Sequence, residues 1–157
     1  MDDANLDLAQ FAGMPAATFL MHREPMLFLD TLVDIGPDFA VCDWQVSADF
    51  ELHDGRHGVP AYAAIEYMAQ CVAVHAGARA RARGFVPPQG YLLGTRQFDT
   101  SIEHFATGES YTAHCNELIR NADGMGSFAC TVRQDDAILA SANLAVIEQP
   151  RDIPIND

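Results

Sequence analysis

The chain has 157 residues, 49% hydrophobic and 20% charged, with a formal net charge of −13. That length suits one domain able to bury roughly two-thirds of its unfolded surface, and the composition excludes a disordered or collagen-like polypeptide. The 9 basic residues, against 22 acidic ones, are all arginines, too few for phosphate-backbone binding as a primary function, and no apolar run reaches the length of about 18 residues that marks a membrane-spanning helix.

The acidic start Met1-Asp2-Asp3-Ala4-Asn5, with no apolar stretch behind it, predicts a cytoplasmic protein. Within residues 1–20, Leu6, Leu8, Ala9, Phe11 and Ala12 recur at helical spacing until Gly13 and Pro15 interrupt, predicting a short helix and a turn. After His22-Arg23-Glu24-Pro25, a strand is expected over 26–35 and a second over 39–46, joined by Gly36-Pro37-Asp38 as a hairpin. Residues 49–58 read as a loop. The one long helix should open at Pro60, a favoured first-turn residue, and run to about Ala82, with Gly84 as its stop.

Beyond Pro87-Pro88, strands are expected over 90–98, 108–120, 126–134 and 137–147, separated in part by the turn residues Asn121-Ala122-Asp123-Gly124 and Asp135-Asp136. The tail, 149–157, should be loosely held. The whole, 1–157, reads as one α+β domain in which an antiparallel sheet folds around one helix. Cys42, Cys71, Cys115 and Cys130 lack any C-x-x-C spacing and read as small buried hydrophobes in a reducing compartment.

Between Ala61 and Ala76 the long helix carries one charge, Glu66, with Gln70 a turn later. A helix apolar nearly all round is buried, so a carboxylate in its middle needs a partner or a task. The loop before it supplies His53 and His57, and an imidazole beside a carboxyl in an apolar cleft makes an acid/base pair. Backbone N–H groups from Val59 to Tyr62 would point to the same place and could hold a developing oxyanion. The plainer alternatives are that Glu66 pairs with an arginine such as Arg96, that both loop histidines are solvated, and that His22 caps a turn. His75 reads as a core or interface residue, and His104 and His114 have no evident partner. No metal-ligand spacing, phosphate-binding glycine loop or serine-hydrolase motif occurs.

The segment His22-Arg23-Glu24-Pro25-Met26-Leu27-Phe28-Leu29-Asp30 resembles the opening motif of the β-hydroxyacyl-acyl-carrier-protein dehydratases, and Ile65-Glu66-Tyr67-Met68-Ala69-Gln70 is similar to their helix motif. The likeness continues through Leu93-Gly94-Thr95-Arg96 and Phe105-Ala106-Thr107-Gly108-Glu109. Leu92 to Arg96 and Gly126-Ser127-Phe128-Ala129-Cys130 most resemble the dehydratases of aryl polyene clusters.

The resemblance implies a hot-dog fold, with dimers that place two active sites at the interface, a loop histidine from one subunit and the helix acid from the other acting on one thioester. Glu66 matches the acid. His53 matches the histidine if one loop residue is deleted, with His57 and then His22 as competitors. The implied reaction is cofactor-free dehydration of a 3-hydroxyacyl thioester on an acyl carrier protein, the histidine removing the C2 proton and Glu66 protonating the leaving hydroxyl. Val59, Tyr62 and Gln70 would contact substrate, and Arg79, Arg81 and Arg83 would offer the acidic carrier a basic patch. The rival readings are a hot-dog thioesterase and a non-catalytic acyl-binding subunit that pairs with a related dehydratase.

Overall fold

The structure, a computed structural model, describes residues 3–156. Six strands form one antiparallel sheet: β1 (Thr31–Ile35), β2 (Phe39–Gln45), β4 (Gln89–Thr100), β6 (Ser110–Arg120), β7 (Met125–Gln134) and β8 (Ala137–Gln149), in the order β1-β2-β6-β7-β8-β4. Helix α1 (Ala64–Ala82) packs across one face. That face is made by alternation: Ala40, Cys42 and Trp44 of β2, Tyr111, Ala113 and Cys115 of β6, and Phe128, Cys130 and Val132 of β7 are buried. All four cysteines are buried and free, as the sequence predicted. Trp44 stacks on Tyr67 of α1 at 3.9 Å between ring centroids, which fixes the helix over the sheet. No helix of the described residues is long and apolar enough to cross a membrane.

Several boundaries differ from expectation. The N-terminal helix is replaced by three short 3-10 turns, Asp3–Asn5, Ala9–Phe11 and Ala16–Thr18. Gly13 donates to the Leu32 carbonyl, Leu32 to Met14 and Ala16 to Asp30, so pairing with the β1 segment takes the backbone groups a helix would have used. Strand β1 starts only at Thr31 because the chain at 26–28 bonds to a helix side chain instead of a neighbouring strand.

Pro60 does not open α1. It ends β3 (Gly58–Pro60), which pairs with β5 (His104–Ala106) as a small second sheet, and one 3-10 turn then leads into the helix. The C-terminal stop is as expected: Gly84 has φ +85°, its N–H reaches the Arg81 carbonyl, and the Phe85 N–H reaches Ala80. The tail is tied down rather than loose, since Val86 donates to Ile153, Ile155 to Gly84, and the Arg151 side chain to Pro87. Met1, Asp2 and Asp157, the outermost residues of the expected helix and tail, lie outside the described residues.

His75 is completely buried on α1, donating from Nε2 to the Gly36 carbonyl at 2.9 Å, while Nδ1 has no partner among the described residues. Burial, aided by the nearby Arg79 charge, pushes this imidazole down to about 4 from its ordinary 6.5. The unfolded chain therefore takes up a proton that the folded chain refuses between those values. Stability is complete above about pH 6.5 and falls as pH drops toward 4, by on the order of 3 kcal/mol from this group. Urea denaturation across that range should show His75→Gln with a flatter pH dependence than the parent; parallel curves would refute the assignment.

Candidate active site

Alanines at 69, 73 and 76 follow Glu66 at intervals of three and four, so one stripe of α1 is nearly flat. Above it lies a cavity of about 310 Å³, closed by Phe19 to His22, by the start of β4 and by Val146 to Glu148 at the end of β8. Its volume sits at the lower end of small-molecule sites, about 300–1,000 Å³. Of its polar side chains, His22, Glu66 and Gln70 lie together, and Gln89 and Glu148 are part of the β4 and β8 wall.

Gln70, 1% exposed, orders the group around Glu66. Its Nε2 donates to the Met26 carbonyl (2.8 Å) and to Glu66 Oε1 (2.9 Å), while its Oε1 accepts from the Phe28 N–H (3.0 Å). Every capacity that matters is used, so the amide cannot turn and the carboxyl it holds is aimed. Glu66 is less enclosed than the sequence suggested, with 38% of its side chain exposed at the cavity. His22 Nε2 stands 3.8 Å from Glu66 Oε1, and its Nδ1 is buried with no partner among the described residues. The Arg23 guanidinium holds the His22 turn by donating to the carbonyls of Ala17, Leu20 and His22. On the other side, Gly77 lets α1 approach so closely that any Cβ there would overlap the Phe19 carbonyl oxygen.

The loop histidines lie elsewhere in the chain. His53, with only 7% of its side chain exposed, accepts the Gly55 N–H at Nδ1 (2.9 Å) and meets Thr107 Oγ1 through Nε2 (2.6 Å). With Nδ1 an acceptor, Nε2 carries the proton and donates, so neither nitrogen offers a vacant lone pair. His57 is more than half exposed and faces Asp54. Val59 is fully buried, Tyr62 is 67% exposed, and neither lines the cavity. The expected oxyanion cradle is also spent in part: the Ala61 N–H is bonded to Glu103, and Pro60 has none.

The expected basic patch turns inward. Arg79 is 3% exposed and pairs with Asp3 and Glu148, Arg83 pairs with Asp3, and Arg120 pairs with Asp3 and Glu117. Three guanidinium groups meet three carboxylates, and burial raises the Glu117 carboxyl above its usual range. Arg79 therefore has no face to present to a carrier protein; among the described residues Arg81 alone of the three stays out of this cluster. Sequence reading found Glu66 and Gln70 but not what Gln70 grips, because its partners at 26 and 28 are some forty residues away.

The sequence model of a family described as ApeP-like, ApeP dehydratase, matches residues 14–154. Comparison with curated proteins finds no match. Among solved structures, one from the dehydratase heterocomplex ApeI:P of Xenorhabdus doucetiae is 27% identical, with a TM-score of 0.80 over 88% of this chain and 93% of that one. Cj0977, a sigma28-regulated virulence protein of Campylobacter jejuni, is 11% identical over 87% of this chain and 88% of its own, at TM-score 0.61. The E. coli PaaI protein of the phenylacetic acid degradation operon is 15% identical over 73% and 75%, at 0.54. The last two share the fold alone. The helix laid across a six-stranded antiparallel sheet is the hot-dog fold that the sequence led us to expect.

Proposed function

The match over residues 14–154 takes in most of the chain, which therefore belongs to the ApeP-like dehydratase family, and on that premise we propose that it serves in dehydrating 3-hydroxyacyl thioesters carried by an acyl carrier protein. The observation that carries this reading is the Glu66 carboxyl held by Gln70 beside His22 in a largely apolar cavity. An imidazole takes the C2 proton, the C3–O bond breaks, and the hydroxyl leaves as water with a proton from Glu66, giving a trans-2-enoyl thioester. The alanine stripe of α1 accommodates the acyl chain. Aryl polyene or fatty-acid-like synthesis, in the cytoplasm, is the setting this chemistry suits, and no step in it requires a cofactor.

The base has two candidates. His22 shares the cavity with Glu66, while the family resemblance implies that a loop histidine, His53, reaches the acid of a second subunit. Strand β4 pairs with β8 along one edge only and exposes Tyr91, Leu92 and Leu93 beside the cavity. A second hot-dog subunit, identical or related, docked there would complete the site. That both ring nitrogens of His53 are engaged favours a second reading, in which this chain provides the acid and the acyl cavity while a related subunit provides the base. Carrier docking would use Arg81 rather than the buried Arg79.

The test is an assay of the purified chain on 3-hydroxyacyl carrier protein, alone and mixed with a related dehydratase subunit, following loss of water by mass spectrometry. We expect His22→Ala to slow conversion by about 10²–10⁴-fold and His53→Ala by much less. Equal loss with His53→Ala restores the inter-subunit assignment. Conversion only on mixing establishes the partner role, and release of free carrier thiol would make the protein a thioesterase.

A further inference from the structure

Outside the lining of the cavity, Asp54, His57 and His104 converge, and their donor atoms all lie within 4.8 Å of one another. His104 opens β5, and the other two precede β3. Asp54 Oδ2 is 3.1 Å from His104 Nε2 and 3.4 Å from His57 Nδ1. We propose that these three side chains bind a single divalent transition-metal ion, zinc by preference, with water as the fourth ligand.

The division of labour within the Asp54 carboxylate supports this. Its Oδ1 accepts the N–H groups of Arg56 (2.8 Å), His57 (2.7 Å) and Gly58 (3.0 Å), which fixes the group and turns Oδ2 toward the two imidazoles. Backbone donation of this kind is the orienting support that metal-binding carboxylates receive.

Spacing fits as well. Ligands 2.0–2.1 Å from a tetrahedral zinc are about 3.3–3.4 Å apart, and the two distances from Oδ2 bracket that value. The 3.4 Å approach of His57 is too long for an ordinary N–H···O bond, so hydrogen bonding explains only half of the cluster. His57, more than half exposed, has room to close the remaining edge, and its ring already lies 5.1 Å from that of His104. Two imidazoles and one carboxylate suit zinc, cobalt or nickel and are a poor set for calcium or magnesium, which take oxygen.

A bound ion would clamp the loop carrying His53 to β5 independently of any turnover. Equilibrium dialysis of the untagged full chain against zinc chloride should give one zinc per chain, and cobalt should give the intense visible bands of a tetrahedral site. Magnesium should not be retained. Both His57→Ala and His104→Ala should weaken zinc binding by at least the ~10–100-fold that loss of an outer-shell partner costs, while His114→Gln, at a histidine that pairs with Thr112, keeps it. Failure of the parent chain to retain zinc, or full retention by either alanine variant, overturns the proposal. Because the readout is binding, the result stands whether or not the dehydratase reading does.

Discussion

Glu66→Gln should leave the chain folded and dehydration slower by about 10²–10⁴-fold, the usual contribution of one positioned proton donor. The amide is nearly isosteric, and its carbonyl still accepts from Gln70 Nε2, so the anchoring of Gln70 to Met26 and Phe28 survives. What disappears is the dissociable proton. Turnover on carrier-bound substrate, measured beside the melting temperature, separates the two effects: a large fall in rate with a near-constant melting temperature supports the role. Near-normal turnover would remove Glu66 from the chemistry and leave the cavity as a binding site only. Because 38% of the side chain is solvent-exposed, the substitution carries little desolvation effect of its own.

Gly77→Ala should destabilise the fold and damage the site together. The added Cβ would overlap the Phe19 carbonyl oxygen and sit 2.8 Å from its carbonyl carbon. Both belong to backbone, so no rotamer change relieves them. Overpacking of this kind costs about 1–3 kcal/mol, at times more, against a gain of about 1 kcal/mol in helix propensity. With the overlap falling on backbone we expect a net loss near the upper end, about 2 kcal/mol, or roughly 4–8 °C in melting temperature. Phe19 through His22 form the wall opposite Glu66, so relief by displacement of that segment carries His22 away from the carboxyl and lowers turnover as well. A variant as stable and as active as the parent would show that α1 does not press on this segment.

Much of the architecture was legible because it is written in local pattern. The run from Ala61 to Ala76 with its single charge, the Gly84 stop and the alternating stretches that became β2, β6, β7 and β8 each carry their own signal. The first twenty residues misled because helical spacing there competes with backbone bonds to Asp30 and Leu32, which no window of sequence contains. Strands β3 and β5, three residues each, are too short to show a period. In the site, Glu66 stood out as a lone charge and Gln70 as its neighbour on the helix. The arginines misled for the opposite reason: their place in the helix suits solvent and the dipole, yet Asp3 and Glu148 arrive from remote parts of the chain to claim Arg79, and Asp3 claims Arg83 as well.

The outer margin of β4 bears on how this polypeptide lives in a cell. Proteins that keep a strand margin in water tend to guard it with lysine, proline or a bulge; this chain contains no lysine anywhere, β4 carries only Arg96 and Asp99 as charges along twelve residues, and its register irregularities between Leu92 and Gly94 and between Thr95 and Phe98 are the guard it has. A margin so poor in charge suits cover by a second subunit. Left bare, its twelve residues would offer unpaired backbone groups on which another copy could add a strand.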